Sequence, residues 1–365
     1  MDVHPLIFEP IFKRRIWGGQ RLRQVFGKDV PADQPIGESW ELADLPKDKS
    51  VVASGPAAGK RIDELVRQWD RALTGRAPLF QGSFPLLIKF LDAQQDLSVQ
   101  VHPDQAMAKR LGGGVRVKHE AWYVLETEGD PAIYKGLKPG VTRESFASAI
   151  EAGTCAELLH RVPVKPGDCH YLPSGTVHAL GAGVLVAEIQ TPSDVTFRVF
   201  DWNRVDSATG QPRELHIASA LECIHFGPAD ESAMKRSHVA SHWTTVTRLV
   251  TCESFIIEKV RMAVGVEQRI AYAEPVVWIV LSGRGKLVYG RSNTELPFKP
   301  GDTVLLPAEL TDARVVLDDD TVWLEITIPT ASDLAGYARP SREALQSPDG
   351  SPQSPIQLNI DRRSE

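Results

Sequence analysis

Apolar and polar residues alternate in short stretches along most of this chain, and only two segments switch clearly to a helical spacing. The sharpest alternation is Ser98-Val99-Gln100-Val101-His102-Pro103. Val99 and Val101 point to one side of a strand, Ser98, Gln100 and His102 to the other, and Pro103 ends it. A half-solvated strand with a polar outer face would read the same way, so this stretch gains weight only from partners elsewhere. Ser39 to Leu42 also alternates. Phe84 to Ala93 is a dense apolar run that predicts a buried strand, interrupted by Lys89. A lysine there must be paired or must reach into a cavity. Lys118 to Leu125 predicts a strand with Lys118, Glu120 and Trp122 on one face and His119 and Tyr123 on the other. The stretch before it, with Gly112 to Gly114, reads as a loop. Val184 to Gln190 buries the Glu188 carboxylate in an apolar strand. Beyond it, Thr196, Arg198 and Phe200 are predicted to share a strand face. An inward arginine is either ion-paired, here for instance with Asp194, or an anion receptor. Helical spacing links Ile62, Leu65, Val66 and Trp69, and again Phe146, Ala149 and Ile150 behind a Thr142 N-cap.

Two phrases recur. Lys165-Pro166-Gly167-Asp168, ending in Leu172-Pro173, returns 134 residues later as Lys299-Pro300-Gly301-Asp302, ending in Leu306-Pro307. Trp122-Tyr123-Val124-Leu125 returns 156 residues later as Trp278-Ile279-Val280-Leu281. The two offsets differ because a helical insert, about 138–160, is present only in the first copy. Repetition of a strand-rich unit with Pro/Gly turns predicts a mainly β fold: two jelly-roll barrels in tandem with a small α-helical insertion. The expected units are 1–235, including the insert, and 236–335, with a Ser/Pro-rich tail at 336–365 expected to be disordered. In the second copy Asp312 stands where the first has His178, and Val276 where it has Glu120. Chemistry is therefore expected in the first copy alone.

Composition narrows the function classes. The 365 residues are 42% hydrophobic and 24% charged, as in ordinary globular proteins. A net charge of −6 without a basic stripe disfavours nucleic acid as a partner. The longest uninterrupted apolar run, Val276 to Leu281, falls far short of the ~20 residues that a membrane span needs. The N-terminus lacks a signal-peptide layout, and the four cysteines form no CxxC pair, so a reducing cytoplasm is expected.

The strongest local signal is G-x5-P-x-G-x2-H at Gly167, Pro173, Gly175 and His178. A tight turn between two strands fixes where the histidine lands, as a metal ligand requires. Gln100, His102, Glu120 and His178 are all predicted to face one barrel interior. Two imidazoles, a carboxylate and an amide oxygen suit one divalent first-row metal per chain, with zinc (Zn2+) the leading choice. Lys89, Lys118 and Arg198 would make that pocket attractive to an anion such as a sugar phosphate.

These phrases, with Arg15-Ile16-Trp17-Gly18-Gly19, Gly37-Glu38-Ser39-Trp40-Glu41, Lys118-His119-Glu120-Ala121-Trp122-Tyr123, Pro173-Ser174-Gly175-Thr176-Val177-His178-Ala179 and Glu188-Ile189-Gln190, resemble the type I mannose-6-phosphate isomerases (phosphomannose isomerases). The likeness is to the short bacterial class in the cupin superfamily and spans roughly residues 5 to 330. It implies zinc on Gln100, His102, Glu120 and His178, and a substrate pocket around Ser98, Lys118, Glu188 and Arg198, with Lys89 and Asp194 nearby. It implies interconversion of mannose 6-phosphate and fructose 6-phosphate through a cis-enediol. The metal and Arg198 would polarise the sugar oxygens, Ser98, Lys118, Asp194 and Arg198 would hold the substrate, and Lys118 is expected to count among the catalytic residues with Arg198, Glu188 and Lys89. The base is expected to be Glu188, ahead of Lys89. Larger members carry a histidine before the lysine matching Lys118 and a proline after it; here these are Val117 and His119, so no acid/base role carries over to them. The competing readings are a non-catalytic, metal-dependent sugar-binding or regulatory cupin and a metal-dependent oxygenase. The amide ligand and the cationic lining disfavour the oxygenase. A monomer or weak homodimer is expected.

Overall fold

The apolar runs become strands buried on both faces. In the computed structural model, which describes residues 3–206, 209–227, 234 and 237–329, Val184–Gln190 and Leu87–Ala93 are buried along their whole length. Leu185, Ala187 and Ile189 pack into the apolar layer between the two repeats, as do Ile88 and Phe90. The alternate positions Val184, Val186, Leu91 and Ala93 face the interior of the first repeat. Lys89 and Glu188 share that inward face, because side chains alternate along a strand.

The first repeat stacks two antiparallel sheets. One runs in the order Ile11–Gly19, Ile36–Leu42, Leu87–Ala93, Val184–Gln190, Glu120–Thr127, Cys169–Leu172. The other runs Phe197–Phe200, Val99–Val101, His178–Leu180, Ala132–Leu137, Leu159–Pro163. Between them lie Trp17, Leu97, Trp122, Ile133, Leu172 and Leu180. The second repeat pairs a seven-stranded sheet, containing Val276–Ser282, Thr303–Leu306 and Thr321–Thr327, with a four-stranded one. Trp278, Phe298, Val304 and Trp323 fill it. The two repeats meet back to back through Phe90, Tyr171, Ile189, Phe255, Leu324 and Ile326. The short strand Leu6–Ile7 crosses over and pairs with Leu305 and Val304, tying the N-terminal segment to the second sheet.

Strand register reproduces the repeat residue by residue. Glu120 faces Leu172 across its ladder as Val276 faces Leu306. Trp122 faces Glu188 as Trp278 faces Glu325. Each tryptophan donates its indole N–H to its glutamate, at 2.8 Å in the first copy and 3.0 Å in the second. Asp312, by contrast, is exposed.

The insert forms a helix at Arg143–Glu151, and Thr142 Oγ1 accepts from Ser145 N at 3.2 Å, as its spacing predicts. Two expectations need correction. The stretch after Pro103 is not all loop: Gln105–Leu111 is helical, because Asp104 caps Met107 N at 2.8 Å and Gly112 ends the helix at φ +61°. Phe200 does not share a face with Arg198. The ladder to Val99–Val101 slips between Arg198 and Phe200, and the extra residue turns Phe200 into the apolar cluster with Val99, Val101 and Val199. The expected boundary at 235/236 and the expected tail at 336–365 lie outside the described residues. Among the described residues no helix is long and apolar enough to cross a membrane.

Candidate metal centre and substrate pocket

Three strands bring His102, Glu120 and His178 together, each 1% exposed or less. The His178 Nε2 lies 2.9 Å from Glu120 Oε1, and the His102 Nε2 lies 3.3 Å from Glu120 Oε2. Each imidazole turns its Nδ1 to a backbone carbonyl: His178 to Thr176 O at 2.8 Å, His102 to Val195 O at 3.1 Å. That partner requires the proton on Nδ1 and leaves a lone pair on Nε2. Two nitrogen lone pairs therefore meet two carboxylate oxygens, and neither oxygen has a hydrogen bond of proper geometry. Gln100 Nε2 is 3.3 Å from His178 Nε2, and half a turn of that amide brings its oxygen to the same place. Buried acceptors converging on a point with carbonyl-oriented imidazoles behind them fit a divalent cation.

Electrostatics agrees. Burial, with Lys118 next in weight, pushes the His102 pKa down to about 3, so its imidazole is neutral. Burial works to raise the Glu120 carboxyl, but Lys118 and then the two histidines hold it well below the ordinary range. The Lys118 Nζ is 2.9 Å from Glu120 Oε2, and although burial opposes its charge, Glu120 and then Glu188 raise its pKa.

Gln100 and Lys118 also line a cavity of about 430 Å³. Ser98, Lys89, Glu188, Asp194, Thr196 and Arg198 line it too, so the sequence-predicted pocket residues share one space. Glu188 is held on both oxygens: Lys89 Nζ is 3.0 Å from Oε1, and Trp122 donates to Oε2 at 2.8 Å. The Arg198 Nε donates to Ser98 Oγ at 3.3 Å and its Nη1 to Glu214 O at 2.7 Å. The ion pair of Arg198 with Asp194, raised above as one possibility, is not formed. Asp201 is taken by Arg204 at 2.6 Å and by Arg213 at 2.8 Å, and among the described residues no carboxylate lies within 4.0 Å of Arg198. Burial, then the neighbouring Arg213, lowers its pKa. His119 points away from the cavity, toward Tyr171 and Glu253.

Sequence reasoning missed Arg14, Arg15, Glu38, Asp206 and Arg213 in the same lining. Arg15 Nε pairs with Glu38 Oε1 at 2.6 Å, and Trp40 Nε1 donates to Glu38 Oε2 at 2.6 Å. Burial opposes the Glu38 charge, yet Arg15 and then Lys89 pull its pKa down to about 2. The available signal was Ile36 to Leu42, whose alternation puts Glu38 on the face of Trp40, beside Lys89 on the next strand.

A family model of the type I phosphomannose isomerase catalytic domain matches residues 6–133. The mannose-6-phosphate isomerase ManA of Bacillus subtilis (strain 168) is 39% identical over 318 residues, covering 86% of this chain and 96% of its own. The mannose-6-phosphate isomerase of Streptococcus mutans is 36% identical over 303 residues, covering 83% of this chain and 92% of its own. The crystal structure of the mannose 6-phosphate isomerase from Bacillus subtilis superposes with a TM-score of 0.81 at 34% identity, covering 89% of this chain and all (100%) of that one. With relatives matched over 96% and 92% of their own lengths, the chain belongs to the type I phosphomannose isomerase family.

Proposed function

We propose that the protein is a metal-dependent aldose–ketose isomerase that interconverts mannose 6-phosphate and fructose 6-phosphate. The observation that carries this reading is that the ligand set borders the pocket: Gln100 and Lys118 line the same cavity as the Lys89–Glu188 pair and Arg198, and Lys118 Nζ lies 2.9 Å from Glu120 of the buried His102/Glu120/His178 group. A sugar-binding module needs no buried carboxylate clamped by a cation next to its ligand; a proton-transfer enzyme does. Zinc suits two imidazoles, a carboxylate and an amide oxygen, one ion per chain, and when bound it would supply Lewis acidity at the sugar C1/C2 oxygens.

The remaining chemistry falls to side chains of this chain. Glu188 takes the proton from C2 of mannose 6-phosphate as O1 gains one, which gives the cis-enediol. Glu188 then delivers a proton to C1, after partial exchange with solvent, as O2 loses its own. The ion pair with Lys89 orients the Glu188 carboxylate and gives a route for the hydroxyl protons. The Arg198 guanidinium has no carboxylate partner among the described residues and donates to the charge that develops on the enediol oxygens. Lys118, Ser98 and Asp194 hold and orient the phosphosugar. Glu188→Gln tests the assignment: in deuterated buffer the parent should wash solvent deuterium into the sugar at C1 or C2, and the variant should lose at least about a hundredfold of that exchange. Exchange at the parental rate would remove Glu188 from the role.

In this reading the catalytic unit is 1–235, and 236–335 is a second cupin-like barrel without metal ligands. The four cysteines are buried free thiols, which suits a reducing cytoplasm. We take the working form as a monomer or weak homodimer, because each chain supplies a whole ligand set.

A further inference from the structure

We infer that His119, with Glu253 of the second repeat behind it, is a positioning residue that sets the two metal-centre imidazoles through the turn 173–176. The inference rests on the metal reading above. His119 directly precedes the strand Glu120–Thr127 and turns to the opposite side from Glu120, toward Glu253 of the second repeat, with a side chain 13% exposed. Its Nδ1 lies 3.3 Å from the backbone N–H of Ser174 and 3.3 Å from the Tyr171 hydroxyl. An N–H donor there requires a lone pair on Nδ1, so the ring proton sits on Nε2, 3.1 Å from Glu253 Oε1. The histidine is thereby fixed as an acceptor for the turn. Its own backbone is clamped to Thr191, whose N–H donates to His119 O at 3.1 Å.

The turn it grips touches both metal-site histidines, one at its backbone and the other at its ring. The Gly175 N–H donates to the His102 carbonyl at 2.9 Å, and the Thr176 carbonyl receives the His178 Nδ1 proton at 2.8 Å. Gly175 stands at φ +83°, and a Cβ there would lie 2.5 Å from the His225 ring, so the turn is wedged on its far side. His225 N also donates to Gly175 O at 2.9 Å. His119 and His225 thus hold the turn from two sides, and a shift of the turn would move the His178 orienting carbonyl and the His102 backbone together. Glu253 is 72% exposed, so its ion pair with His119 is screened by water. Its part is to hold the tautomer rather than to add charge.

The test measures zinc affinity of the metal-free protein by competition with a chromophoric chelator, for the parent, His119→Ala, His119→Asn, His119→Gln and Glu253→Gln. The Asn Oδ1 can stand at the Nδ1 position and accept the Ser174 N–H, whereas Gln places its amide at the Nε2 position. Outer-shell partners of metal-bound histidines are worth about 10–100-fold in affinity, so His119→Ala and His119→Gln should weaken zinc by that factor. His119→Asn should stay within about threefold of the parent and Glu253→Gln within a few-fold, by the same scale. The metal-free variants should melt close to the parent, since a merely structural residue would lower that melting temperature and leave zinc affinity alone. If His119→Ala fails to fold, the contrast between Asn and Gln decides. Equal affinity for Asn and Gln, or parental affinity for Ala, overturns the inference and leaves the metal site standing. A parent that binds no zinc overturns both.

Discussion

Arg198 is the residue whose surroundings discriminate most between catalysis and mere structure. It is half-buried, it donates to Ser98 and to a carbonyl, and its charge has no carboxylate partner among the described residues. Arg198→Lys keeps the charge and loses the planar fork, so kcat should fall at least about a hundredfold, the scale of one lost oxyanion donor. Metal content and Tm should stay near the parent's; a Tm many degrees lower with normal turnover in the folded fraction would mark a structural role. Glu38 makes a different prediction. Its folded pKa, about 2, lies below its ordinary 4.5, so its ionised form stabilises the fold above the ordinary value and loses that contribution as pH falls from 4.5 toward 2. The effect is worth about 3 kcal/mol when fully present. Glu38→Gln should therefore melt well below the parent at neutral pH, and the gap should narrow as the solution is acidified below pH 4.5. A gap that stays constant with pH would mean that Glu38 acts by packing. Gln100, His102, Glu120 and His178 were legible because strand alternation and one Pro/Gly turn aim them. Arg14, Arg15 and Arg213 were not, because their place at the pocket wall depends on how distant strands cross.

At the scale of strands and turns, period-2 reading was reliable where a strand stayed regular and failed where it did not. Leu87–Ala93 and Val184–Gln190 follow their alternation throughout, which is why Lys89 and Glu188 meet as a cross-strand pair. Phe197–Phe200 does not, and nothing in its residue types announces the slip that sends Phe200 into the core. The helix Gln105–Leu111 was concealed by its three-glycine exit, although Asp104 followed by Met107 carried the capping signal. The repeat was legible at the level of register, since recurring phrases take equivalent registers. The second copy keeps the tryptophan–glutamate contact, at Trp278 and Glu325, but has Val276 and exposed Asp312 in place of Glu120 and His178. Asp312→Ala should leave kcat/KM within a few-fold of the parent, a change of less than about 1 kcal/mol. A thousandfold loss in well-folded protein would show that the chemistry had been assigned to the wrong repeat.

At the scale of the molecule one pair of sheets is set against another, and among the described residues the one group of converging histidine and carboxylate ligand atoms lies in the first pair. The apolar seam of Phe90, Ile189, Phe255 and Leu324 keeps the back of the substrate sheet dry, so Lys89 and Glu188 face a cavity built on a rigid wall. On the proposed reading the metal and the Lys89–Glu188 pair are parts of one device, and removing either should stop it. The most direct test is a coupled assay of fructose 6-phosphate formation from mannose 6-phosphate, run with elemental analysis. The samples are the parent as purified, the parent stripped with chelator, the stripped parent given zinc back, and His178→Ala. The prediction is about one divalent ion per chain and turnover in the first sample, loss of both on stripping, recovery with zinc, and an empty, inactive His178→Ala. Full turnover in the stripped protein, or a full complement of metal in His178→Ala, would contradict it.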